Sequence, residues 1–251
     1  MKILKSICIA FSIYSKIPMP QFPWKEKDME YMLCFFPWIG AVLGVVFFGW
    51  SSLCRHFEIS EIARCCIQAF LPILITGGFH MDGFMDTMDA LHSYQSKERK
   101  LEILKDSHIG AFAVITLAGY FLLELAALSQ VEQLKGAGVI ACGFFLSRAL
   151  SGIGIVCLTP AKKNGSLYTF ASSAQKKVVS ISLLVQFVLG VLVMCLLDVR
   201  AGICNAVVML FWFGYYRYKM QKEFGGITGD TAGYFVTIAE LLMIITTAVL
   251  L

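Results

Sequence analysis

A chain of 251 residues with 58% hydrophobic and only 15% charged side chains, at a mean hydropathy of +0.73, has too little polar surface to cover a water-soluble domain. Apolar runs extend from end to end with no polar block between them, so residues 1–251 read as one all-α domain, a polytopic helix bundle in the lipid bilayer. The net charge of +4 is small and its lysines and arginines gather in separate loops, which excludes nucleic acid as a partner.

Lys2 and Lys5 ahead of an apolar stretch mimic a secretory signal, but no small-residue cleavage site follows and Lys16, Pro18 and Pro20 intervene. The segment is expected to be retained as a short helix that lies in the cytoplasmic interface or enters the membrane shallowly, ended by the two prolines. A membrane crossing takes about 20 apolar residues. The first candidate lies between Glu30 and Arg55, where 24 residues carry no charge. Further spans are expected from about Ile62 to Phe79, Ile109 to Leu128, Gly136 to Leu158 with Arg148 inside, 178 to 197, and Thr231 to Leu251. Between Arg200 and Arg217 only 16 uncharged residues are available, so the sixth of these seven spans should tilt little or sit partly sunk. Nine cysteines occur without CxxC spacing and read as reduced, buried hydrophobes.

Seven spans put alternate loops on opposite sides. The N-terminal segment and loops 80–108, 160–177 and 217–230 carry sixteen basic residues against four (Arg55, Arg64, Lys135 and Arg200) on the other side. By the positive-inside rule the sixteen face the cytoplasm.

The most informative stretch leaves the second span: Gly77, Gly78, Phe79, His80, Met81, Asp82, Gly83, then Asp86 and Asp89. The three aspartates, at i, i+4 and i+7, share one helix face, and like charges so close call for a cation. Mg²⁺ binds through few carboxylates and completes its shell with water and substrate phosphates, so the pattern points to a diphosphate. Gly77, Gly78 and Gly83 clear side chains from that face. The bland alternative is a solvated helix end, and His80 reads more as a packing group than a ligand. Downstream, Lys97 to Gly110 has apolar spacing at 101, 104 and 108 for an amphipathic surface helix whose basic face suits anionic lipid. Asp106 there is either a helix N-cap or a metal or substrate contact. Before the last span, Phe224 to Gly233 offers a glycine-rich nest around Thr228, Gly229 and Asp230, or an ordinary turn with Asp230 as N-cap. Glu124, Arg148 and Glu240 would be expensive unpaired in the membrane and should turn inward, toward one another.

Together GGFHMDGFMDTMDAL, ERKLEILKDSHIGAF and GGITGDTAG resemble the motif set of the cobalamin synthases, or adenosylcobinamide-GDP ribazoletransferases. The IPMP and FFPWIGAVLG segments and Ser147-Arg148 extend the resemblance over most of the chain. It implies a transferase of the bacterial cytoplasmic membrane that joins adenosylcobinamide-GDP to α-ribazole or its 5′-phosphate and releases GMP with Mg²⁺. It places Asp82, Asp86 and Asp89 on the metal and diphosphate and strengthens Asp106 and Asp230. Lys16, Arg148 and Lys162 become candidate phosphate donors, and a homo-oligomer or a complex with other cobalamin-pathway proteins is compatible with it. The sequence departs from the family at Ala90 and at Lys162-Lys163-Asn164-Gly165, which puts contacts in that loop in question. CDP-alcohol phosphotransferases and prenyltransferases would need a second aspartate cluster, which is missing. A divalent-cation transporter would be expected to show an internal repeat, and none relates the two halves.

Overall fold

The computed structural model describes residues 2–251, and among the described residues there are helices and loops but no strand. Helix α1 (Lys2–Tyr14) buries Cys8, Ile9, Ala10 and Tyr14 and leaves Ile3 and Leu4 exposed, as an interfacial helix would. Its stop lies earlier than expected. Ser15 closes the last turn by donating from its hydroxyl to the Phe11 carbonyl at 2.7 Å, and the two prolines sit in the extended segment beyond.

Six helices are long and apolar enough to cross a membrane: α2 (Phe36–His56), α6 (Ala111–Ser129), α7 (Leu134–Cys157), α9 (Lys176–Leu197), α10 (Val199–Phe224) and α11 (Gly229–Leu250). A seventh crossing is reached only when α3 (Glu61–Thr76) is counted together with the helix that follows it; α3 runs beside α6 in the opposite direction. Near its start Arg64 donates to the Val131 and Leu128 carbonyls, and near its end Ile75 accepts from the Lys16 amide. The expected 62–79 span is broken. The chain bends by 97° between α3 and α4 (Phe79–His92), through Gly77 and Gly78 at φ +70° and +81°, a region that favours glycine. Helix α4 packs against the N-terminal halves of α6 and α11. The sixth span is also longer than its uncharged stretch suggests: α10 has 26 residues, about 39 Å at 1.5 Å per residue.

Lipid chains are as apolar as leucine, so close backbone approach does much of the packing in such a bundle. The central helix is α7, held by α2, α9 and α11. Gly40 and Gly44, one turn apart on α2, lie on the α7 backbone. A Cβ at Gly44 would come within 2.5 Å of the Ala141 carbonyl oxygen. Arg148 is fully buried and paired with Glu240, and Ser147 also donates to Glu240, at 3.1 Å. Glu124 does not join that pair; it accepts from the Tyr120 hydroxyl. Outward faces of α9 and α10 carry exposed Leu196 and Phe211, as lipid contact requires. Helix α5 (Lys97–Ile103) stops well short of His108, and Lys100 is buried against Glu223 of α10. One cation of the supposed lipid-facing surface therefore holds two helices together. All nine cysteines are free, with Cys66 and Cys157 exposed.

Candidate functional site

The site is built on the crossing of α4 and α11, which only glycines permit. A Cβ at Gly83 would stand 2.6 Å from the Asp230 carbonyl oxygen, and one at Gly233 would stand 3.0 Å from that of His80. The Thr237 hydroxyl donates to the His80 carbonyl at 3.2 Å and fixes the crossing point. Asp82 and Asp86 of α4 are thereby brought beside Asp230 of α11. Burial first, then the charges of Asp82, Asp230 and Asp89, push the Asp86 carboxyl up to about 7. No ion pair among the described residues neutralises Asp82, Asp86 or Asp230.

Asp89 faces elsewhere. Its two carboxylate oxygens accept from the Gly110 amide at 2.7 Å and the Ala113 amide at 2.8 Å, so it caps α6 from a distance in sequence. Asp89 thus spends its oxygens on α6 rather than beside Asp82 and Asp86 as the spacing led us to expect, and Asp230 of α11 is a further carboxylate whose charge acts on Asp86. Among the described residues no three histidine, cysteine, aspartate or glutamate side chains are arranged to hold a metal ion unaided. A hard divalent cation that shares its shell with water and phosphate takes only one or two carboxylates, and the oxygen donors at this crossing fit that demand.

Two clefts flank the carboxylates. The larger, ≈ 500 Å³, is lined by Lys16, Ile73, Gly77, Gly78, Asp82 and Met85. A side chain at Gly77 would collide with that of Lys16. The smaller, ≈ 160 Å³, is lined by Lys105, Lys162, Ser166, Thr228, Gly229 and Asp230. Its two halves are stitched together by backbone: Ala161 donates to the Ile227 carbonyl and Ile227 to that of Thr159, both at 2.9 Å. Gly226 is required there, because a Cβ would run into the Thr159 carbonyl. The N-cap of α11 is Thr228 rather than Asp230. Its hydroxyl accepts from the Thr231 amide at 3.2 Å and the Thr231 hydroxyl accepts from the Thr228 amide at 2.8 Å, which leaves Asp230 in the first turn. Lys162 donates to the Leu101 carbonyl at 2.7 Å, and burial and the neighbouring Lys105 hold its ammonium below the ordinary lysine value.

Three expected contacts lie off this site. Arg148 is sealed in the bundle, with Glu240 and the Phe144 carbonyl as its partners, and no phosphate at the crossing can reach it. His80 is buried with its ring beside those of Phe36 and Phe79. Asp106 is exposed, accepts from the His108 amide at 3.0 Å and has its carboxyl held below the usual range by His108; the N-cap of α6 is Gly110, not Asp106. Sequence reasoning passed over Lys105 and Ser166. Lys105 directly precedes Asp106, and its basic charge at the end of a loop helix was the available signal.

Fold and site define an integral membrane helix bundle that presents acidic side chains, framed by lysines, at one end. The chain belongs to the cobalamin-5-phosphate synthase family, which it matches over residues 6–248. It is 46% identical over 242 residues to a protein of Lachnoclostridium phytofermentans named adenosylcobinamide-GDP ribazoletransferase, covering 96% of this chain and 92% of the relative. Proteins of the same name from Clostridium botulinum (Alaska E43) and Clostridium perfringens (strain 13) are 31% and 32% identical over 242 residues, with coverage of 95% and 94% of both chains respectively. No solved structure matches the chain.

Proposed function

We propose that this protein transfers the adenosylcobinamide phosphate moiety from adenosylcobinamide-GDP to α-ribazole or its 5′-phosphate, releasing GMP. The observation that carries the reading is the meeting of Asp82 and Asp86 with Asp230, aspartates from two separate family motifs, at one glycine-only crossing. Whole-chain likeness to transferases of that name supplies the substrates.

Asp82 and Asp86 would hold Mg²⁺, which when bound neutralises the diphosphate. Phosphoryl transfer then asks the protein mainly for in-line positioning and charge neutralisation. Lys16 reaches the diphosphate from the larger cleft, where Ile73 and Met85 add apolar surface for the corrinoid substrate. Asp230 lines the smaller cleft and faces the acceptor, so its carboxylate takes the proton of the attacking 3′-hydroxyl. That oxygen bonds to the corrinoid-proximal phosphorus as the bond to GMP breaks. The site faces the cytoplasm of a bacterial cell membrane, an orientation supported by the sixteen basic residues on its side.

Purified protein in liposomes should release GMP from adenosylcobinamide-GDP only when α-ribazole or its phosphate and Mg²⁺ are both supplied. GMP release without acceptor, or undiminished in chelator, would contradict the proposal.

A further inference from the structure

The smaller cleft holds a feature that the diphosphate chemistry does not use. Lys105 and Lys162 line it from different loops, and burial first, then the charge of Lys105, hold the Lys162 ammonium below the ordinary lysine value. Neither takes part in an ion pair among the described residues, while the charges of Asp230 and Glu102 act on Lys162 from nearby. Lys162 spends one N–H on Leu101 and keeps the others free. The wall opposite is the start of the 22-residue helix α11, with the Gly229 amide in its first turn, and the Ser166 hydroxyl borders the same space. Two cations that form no direct ion pair, beside a helix start, give this concave wall donors for an anion.

We propose that this cleft is a phosphate subsite for the acceptor, in which Lys105 and Lys162 bind a phosphate monoester carried by the incoming nucleoside, separate from the carboxylates that serve the diphosphate. The inference rests on the transferase reading and deepens it. Size and charge support the division: ≈ 160 Å³ suits a phosphate head and not a corrinoid, while the ≈ 500 Å³ cleft lies on the Asp82 side. Asp230, shared between the carboxylate group and the small cleft, then stands between the acceptor's anchored phosphate and the reacting phosphorus.

The test is a selectivity ratio. In phosphatidylcholine liposomes, kcat/KM is measured for α-ribazole 5′-phosphate and for α-ribazole, in the wild type and in Lys105→Gln, Lys162→Gln and the double variant. Loss of one charge-assisted contact should lower the preference for the phosphorylated acceptor about tenfold, through KM, and loss of both about a hundredfold. Lys162→Arg should restore most of it, which a merely structural lysine would not predict. A ratio that stays constant while both rates fall together would overturn the subsite. So would a rise confined to the KM of adenosylcobinamide-GDP. A lipid phosphate is the other source of the same chemistry: if the ratio changes only after phosphatidylglycerol is added, the cleft is a lipid site and the proposal fails. Wild-type protein that releases no GMP with either acceptor would remove the transferase reading itself, and the subsite with it.

Discussion

Replacing Gly83 with alanine adds one methyl group where α4 and α11 touch. The new Cβ would lie 2.6 Å from the Asp230 carbonyl oxygen and 2.9 Å from its Cα. A carbon beside a carbonyl oxygen rests at about 3.3 Å or more, so the helices must separate by roughly 0.7 Å. Both close atoms are backbone, so no side chain can swing aside. Overpacking of this kind costs about 1–3 kcal/mol, which a bundle of this size tolerates, but it moves Asp82 and Asp86 away from Asp230. A displacement of this order at a phosphoryl-transfer site costs about 10²-fold in rate. We therefore expect Gly83→Ala to insert and purify normally and to release GMP some 10- to 100-fold more slowly than wild type. Gly119→Ala, at a position with nothing within 4 Å, should run at the wild-type rate. Equal rates for Gly83→Ala and wild type would refute the claim that this crossing sets the carboxylate geometry.

Other expectations follow from the same contacts. Because Asp86 titrates at about 7 without a cation, its proton competes with the metal: the Mg²⁺ needed for half-maximal GMP release should rise about tenfold per pH unit below pH 7 and level off above it, and Asp86→Asn should flatten that profile. Since the folded value is raised, the unliganded protein binds the extra proton between about pH 4 and 7 and loses stability as the pH rises through that window; thermal unfolding in chelator should show this, and Asp86→Asn should remove it. Asp89→Ala, which frees the Gly110 and Ala113 amides, should cost about 0.5–2 kcal/mol and lower the unfolding temperature, whereas Asp82→Asn should leave it unchanged or raise it. Removing Glu240 alone leaves the Arg148 guanidinium buried without a counter-charge, about 3–5 kcal/mol, and Arg148→Met with Glu240→Leu should recover most of that loss in a double-mutant cycle. A cysteine placed at the exposed Tyr94 should react with an impermeant maleimide in inverted vesicles and not in intact spheroplasts.

Crossing helices were legible because an uncharged run of about 20 residues has few other uses. The break at Gly77–Gly78 was not read as one, although two successive glycines beside three aspartates marked it: hydropathy continues across the bend while the backbone does not. Spacing placed Asp82, Asp86 and Asp89 on one face, correctly for a helix taken alone. It carried no information about α6, whose first amides draw Asp89 away, or about α11, which brings in Asp230. The glycines at 83 and 233 recorded that approach, but a glycine shows that something comes near without saying what. Lys100 and Arg148 show the converse. Lys100 was read as a charge available to lipid and is instead closed off by Glu223; Arg148, read both as an inward charge pairing with Glu240 and as a candidate phosphate donor, has the first of those roles.

The most direct trial of the account is Mn²⁺ binding, followed by electron paramagnetic resonance in the presence of adenosylcobinamide-GDP and without acceptor. Wild type and Asp89→Asn should bind the ion with similar affinity, and Asp82→Asn and Asp86→Asn should weaken it at least tenfold. Tight binding that survives loss of Asp82 and Asp86, or that disappears only with Asp89, would contradict the assignment of the α4–α11 crossing as the place where the diphosphate is held.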